Sequence, residues 1–132
     1  MYADTSYWIA LISERDDLHR ARDIAEQFSD TLIVTSDMVL VEVLNGFSTP
    51  AHVRRSATNS VTEICADEEV CVVPQTRELF DQAHSFYRQR MDKVWSLTNR
   101  ASFVIMRDRS LTKALTHDTH FEQNGYEALL RD

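Results

Sequence analysis

Turn-forming residues are scarce in this chain, with two glycines and two prolines among 132 residues. An all-β sandwich needs turn residues at short, regular intervals, so the shortage argues against one and suits a helix-rich chain. Cysteine is equally sparse. Cys65 and Cys71 flank Ala-Asp-Glu-Glu-Val, and no second Cys/His pair supports them as zinc ligands. They read as reduced, structural thiols of a cytosolic protein. No run of about 18 apolar residues is present, so no membrane span is expected. The start, Met-Tyr-Ala-Asp-Thr-Ser, lacks the basic-then-apolar order of a secretory signal, and a cytoplasmic location is expected. Positive charge is in deficit too: 14 Lys and Arg stand against 21 Asp and Glu, for a net charge of −7. Proteins that hold nucleic acid by phosphate neutralisation are basic, so long-range steering is not available here. The acidity suits a carboxylate cluster around a divalent cation, or a basic or apolar partner. Much of it falls in solvated runs at residues 14–17 and 67–69.

What remains is an ordinary globular composition, 43% hydrophobic, of a length that suits one domain over residues 1–132. Residues 1–4 form a strand candidate and 5–12 an apolar helix. Ala21, Ile24, Ala25 and Phe28 recur at helical spacing within 19–28. Residues 31–35 read as a strand. Ser36 or Asp37 then stands at an N-cap before the apolar run 38–44, and Pro50 stops that helix. A helix over 51–66, a strand over 70–73 and an amphipathic helix over 77–90 follow. Ser96 or Thr98 caps a helix over 99–108, and strands at 111–116 and 126–130 close the chain. Strands alternate with helices, which predicts an α/β fold with a mostly parallel sheet covered on both faces.

In such a sheet the ligand site lies beyond the C-terminal ends of the strands. Asp4 ends the first strand, and Asp118 follows the strand containing Ala114, Leu115 and Thr116. Glu42 is the only charge in Met-Val-Leu-Val-Glu-Val-Leu, so its helical neighbours are no solvated stripe. Desolvating a lone carboxylate costs several kcal/mol, so Glu42 needs a cation or hydrogen-bond donors, unless it marks a narrow wet face. Asp4 alone would suit a helix cap, and Asp118 alone a turn. Three carboxylates at one sheet edge repel one another unless a cation joins them. All-oxygen ligands point to Mg²⁺ or Mn²⁺ rather than Zn²⁺. Asn99 opens a helix whose Ser102, Phe103 and Met106 face inward, so its amide should point inward too. His117 and His120 flank Asp118 but make poor zinc ligands, and no catalytic role is expected of them. Trp8 and Trp95 read as packing residues.

Tyr2-Ala3-Asp4-Thr5-Ser6, Thr35-Ser36 with Glu42 downstream, Trp95-Ser96-Leu97-Thr98-Asn99 and Leu115-Thr116-His117-Asp118-Thr119-His120-Phe121 resemble, in this order, the motifs of PIN-domain ribonucleases, including the toxins of toxin–antitoxin pairs. The resemblance covers nearly the whole chain. It implies a three-layer α/β/α sandwich and metal-dependent cleavage of RNA. It also implies Mg²⁺, with Mn²⁺ as a substitute, held by Asp4, Glu42, Asp118 and the residue at 99. By the same analogy a homodimer and a cognate antitoxin protein are expected. Thr5, Ser6 and Ser36 would bond the metal's water or the phosphate. The family places an aspartate where Asn99 stands. One charge pair at 4 Å is worth about 4 kcal/mol at an effective dielectric of 20, so the amide should weaken metal binding and activity. Asp92, seven residues upstream, is the carboxylate that could partly replace that charge. The contrasting expectation is an impaired domain that binds antitoxin or RNA without cutting. A haloacid-dehalogenase-type phosphohydrolase needs a second aspartate at position 6, where Ser6 stands. A receiver domain needs an acidic pair at a strand end, and Asp16-Asp17 is too far from one.

Overall fold

The alternating strand and helix signals resolve into one parallel sheet. In the computed structural model, residues 1–13, 21, 23, 24, 26, 27 and 31–131 are described. The elements are β1 (Tyr2–Ala3), α1 (Thr5–Ser13), β2 (Ile33–Ser36), α2 (Asp37–Gly46), α3 (Ala51–Ala66), β3 (Val70–Val73), α4 (Arg77–Gln89), α5 (Leu97–Asp108), β4 (Lys113–Leu115), α6 (Thr119–Gln123) and β5 (Glu127–Ala128). Of the helix expected over 19–28, the described residues Ala21, Asp23, Ile24, Glu26 and Gln27 are helical. Its other positions, and the acidic run at 14–17, lie outside the described residues.

The strand order is β3-β2-β1-β4-β5, every pair parallel, with helices on both faces in an α/β/α sandwich. Where a mostly parallel sheet was expected, it is wholly parallel. Strands β1, β4 and β5 are shorter than the runs expected at 1–4, 111–116 and 126–130. The chain leaves β1 as soon as Asp4 is reached, because Thr5 already begins α1. Chain order reverses between β1 and β4, the point at which open α/β sheets form their binding crevice.

The central strand is fully enclosed, with Tyr2 and Ala3 at 0% exposure. Thr35 braces it by donating to the Ala3 carbonyl at 2.9 Å and accepting from Trp8 Nε1 at 3.1 Å. Both tryptophans are buried packing residues. Phe103, at the middle of α5, is the hub of an aromatic cluster. Its ring lies 5.0 Å from Phe121, 5.2 Å from Trp95 and 5.8 Å from Tyr126. Phe103 is one helical turn beyond Asn99, so burying its ring also sets the direction of the Asn99 side chain. Both cysteines are free thiols. No described helix is long and apolar enough to cross a membrane.

Candidate active site

Strand register builds the site. Tyr2 pairs with Val34 on one side and with Ala114 on the other. Two residues further along each strand, Ser36, Asp4 and Thr116 therefore stand in a row across the sheet edge. Side chains alternate along a strand, so Asp4 shares a face with Tyr2. The Thr116 hydroxyl donates to Asp4 Oδ2 at 2.9 Å, while its oxygen accepts the Asp118 N–H at 3.0 Å. One hydroxyl thus ties two acidic residues that lie far apart in the chain.

Helix N-termini close the hollow. Asp118 caps α6, taking the His120 N–H on Oδ1 at 2.8 Å. Ser96 caps α5 in a reciprocal arrangement: its oxygen accepts the Asn99 N–H at 3.0 Å, and its own N–H donates to Asn99 Oδ1 at 3.2 Å. That bond fixes which end of the Asn99 amide is which. Asn99 Nδ2 then donates to Asp118 Oδ2 at 3.2 Å. Glu42 is half-buried on α2, and its Oε1 accepts the Thr5 hydroxyl at 2.7 Å. Asp4, Glu42, Asn99 and Asp118 thus belong to one neighbourhood, linked by Thr5 and Thr116.

The electrostatics agree. Burial pushes the Asp4 carboxyl from its usual 3.8 to about 6, and the negative charges of Asp118 and Glu42 push in the same direction against hydrogen bonds from Thr5 and Thr116. Burial also raises the Tyr2 phenol, which touches the Ser36 and Ser102 hydroxyls beneath the site. Among the described residues, no lysine or arginine pairs with Asp4, Glu42 or Asp118. No group of three or more His, Cys, Asp or Glu forms a ready-made metal cage among them either. The donor chemistry nevertheless fits a hard divalent cation. It consists of oxygens only, it carries mutual repulsion that a cation would relieve, and each carboxylate holds neutral donors that metal-bound water can replace.

The other expected residues divide. Ser36 caps α2, accepting Val39 N–H at 3.3 Å. Ser6 braces the loop after β4, accepting the His117 N–H at 3.1 Å. Asp92 is held by Arg90 at 3.0 and 3.1 Å and is exposed, so its charge goes to that partner, with no bond to Asn99 or Asp118. His120, passed over in the sequence, sits at the site. Its Nδ1 is 3.3 Å from Asp118 Oδ1 and 3.4 Å from Asn99 Oδ1. Both neighbours are acceptors, which assigns the ring hydrogen to Nδ1. The Asp-x-His spacing was the available signal, since an N-capping aspartate brings the residue two positions on within reach.

A family model, the PIN domain, matches residues 1–125. No curated protein matches the chain. Among solved structures, the chain is similar to the crystal structure of the Mycobacterium tuberculosis toxin VapC20, described as cleaving the sarcin–ricin loop. The TM-score is 0.83 at 23% identity, covering 95% of each chain.

Proposed function

Since the chain belongs to the PIN-domain family, we propose that it is a metal-dependent endoribonuclease, working in the cytoplasm as the toxin of a toxin–antitoxin pair. The observation that carries this reading is the joining of Asp4 to Asp118 through Thr116, with Asn99 bonded to Asp118 and Glu42 reached through Thr5. The likeness to a toxin that cleaves the sarcin–ricin loop makes structured RNA the substrate to test beside single strands.

Asp4 and Asp118 would hold Mg²⁺ or Mn²⁺, with Glu42 beside them; Asn99 would join only through Oδ1, which here takes the Ser96 N–H while Nδ2 faces Asp118. When bound, such an ion polarises a phosphate and makes water acidic enough to attack it. Thr5 occupies Glu42 Oε1, which leaves Oε2 as the oxygen that would accept a proton. Asp118 is held by the His120 N–H and the Asn99 amide, so it orients rather than moves. Thr116 keeps Asp4 turned toward the hollow. A cognate antitoxin would silence the site with an arginine among the carboxylates, supplying the missing positive charge. A homodimer is part of the same reading.

Asn99 supports a second reading. Its N–H already bonds one Asp118 oxygen from the side a cation would take, although the charges of Asp4, Glu42 and Asp118 stay uncompensated. This favours weak activity, or an impaired domain that binds antitoxin or RNA without cutting. Cleavage of single-stranded and hairpin RNA, with Mg²⁺, Mn²⁺ or EDTA, tests both readings on the parent and on Asn99→Asp. Slow cutting by the parent, faster cutting by the variant and none in EDTA are expected. Cutting by the variant alone selects the impaired domain. If neither protein cuts any RNA, the nuclease reading is wrong.

A further inference from the structure

Arg100 is 1% exposed and belongs to no described ion pair. A buried cation without a carboxylate is costly unless other groups replace its water. Here main-chain carbonyls do so. Nε donates to Trp95 O at 3.0 Å, Nη1 to Phe86 O at 3.0 Å and Arg90 O at 3.1 Å, and Nη2 to Lys93 O at 2.9 Å. The guanidinium carbon also lies 4.5 Å from the centre of the Tyr87 ring. The turn between α4 and α5 is therefore wound around a fixed cation.

Outside that rigid turn lies an unusual surface. Met91 is 74% exposed, Val94 85% and Tyr87 42%. Arg88 is exposed beside them, and Arg90 and Lys93 lie 5.5 and 5.8 Å from the Trp95 ring centre. Residues 87–94 carry three cations against one carboxylate, in a chain of net charge −7. The turn is continuous with the candidate active site. Trp95 Nε1 donates to Gln123 Oε1 of α6 at 3.0 Å, and the next residue, Ser96, caps the helix that presents Asn99.

We propose that this turn is the RNA-docking rim of the site: Tyr87, Met91 and Val94 receive unstacked bases, and Arg88 and Lys93, the two cations not matched by Asp92, the flanking phosphates. The partner class rests on the nuclease reading above. Exposed apolar and aromatic groups on a preorganised support lose little freedom on binding. Bases stack on aromatic rings whatever their identity, and the local positive charge complements phosphate. A basic antitoxin segment aimed at the carboxylates would meet like charges here, so RNA is the better occupant.

The test is fluorescence anisotropy of a labelled, mixed-sequence single-stranded RNA bound to the full chain in EDTA, which reads binding without cleavage. Met91→Ser with Val94→Ser should weaken Kd by about tenfold while melting as the parent does, and Tyr87→Ala, which also strips the ring from the Arg100 guanidinium, should weaken it as much with a lowered Tm. Lys93→Ala should lower the slope of log affinity against log salt by about 0.7. Parental Kd in all these variants overturns the proposal, and if the parent still cuts RNA the nuclease reading survives. Parental RNA affinity with lost capture of a basic helical peptide assigns the rim to a protein partner and also overturns it. A parent that neither binds nor cuts RNA sinks both.

Discussion

Replacing Asn99 by aspartate puts an oxygen where Nδ2 now donates to Asp118 Oδ2 across 3.2 Å. Two unit charges at that spacing repel by about 5 kcal/mol at an effective dielectric of 20. The Asp118 side chain is 30% exposed, so solvent screening and small rotations absorb part of this. The new carboxylate also gains at the start of α5, where the helix dipole favours a negative charge by about 0.3–1 kcal/mol. It keeps the acceptor for the Ser96 N–H. Repulsion still outweighs the dipole, and a net destabilisation of about 1–3 kcal/mol is expected without metal. In a domain of this size that lowers Tm by roughly 3–12 °C. Mg²⁺ reverses the sign, because a cation between two carboxylates gains more than one between a carboxylate and an amide. Calorimetric melts of parent and variant in EDTA and along a Mg²⁺ titration read both effects. Equal Tm values in EDTA, together with equal Mg²⁺ shifts, would refute the claim that the Asn99 amide stands in for a cation.

Asp4 makes the stability of the metal-free protein depend on pH. A carboxyl raised from 3.8 to about 6 binds its proton more tightly folded than unfolded, so its contribution is full below 3.8 and lost as pH rises to about 6. That loss is roughly 3 kcal/mol at one pKa unit per 1.36 kcal/mol. Asp4→Asn should therefore gain on the parent between pH 4 and pH 6 in urea titrations with EDTA, and a difference constant with pH would count against the burial argument. Thr116→Val removes the hydroxyl shared by Asp4 and Asp118. It should cost about 1–3 kcal/mol, with weaker Mn²⁺ binding by calorimetry, whereas parental Mn²⁺ affinity would show that the bridge is not needed. Arg100→Met leaves the Trp95 and Lys93 carbonyls without a donor and takes one of two donors from those of Phe86 and Arg90, which also accept the Arg90 and Lys93 N–H. A loss of 3 kcal/mol or more is expected from chemical denaturation, and a loss below about 1 kcal/mol would mean water replaces the guanidinium freely.

Most of the helices and the alternation of strands with helices could be anticipated, because apolar periodicity and capping residues are local. The limits of α3 and β3 agree with their sequence patterns residue for residue. Helix α6 has five residues, too few to establish a period, and only its capping aspartate announced anything. Asp4 and Asp118 were legible from their places after strands, and Glu42 from the apolar helical run around it. Two features of the structure were not. The Asn99–Asp118 bond joins residues 19 apart through packing on Phe103, which no local pattern records. Arg100, which no sequence pattern singles out, is among the most buried residues, because carbonyls of a turn earlier in the chain enclose it. Both cases share a cause. A polar residue's burial is decided by the partners tertiary structure brings to it, and those partners are main-chain atoms or distant side chains. Carboxylates at strand ends escape this rule because the register of a parallel sheet, itself set by apolar runs, places them at one edge whatever surrounds them.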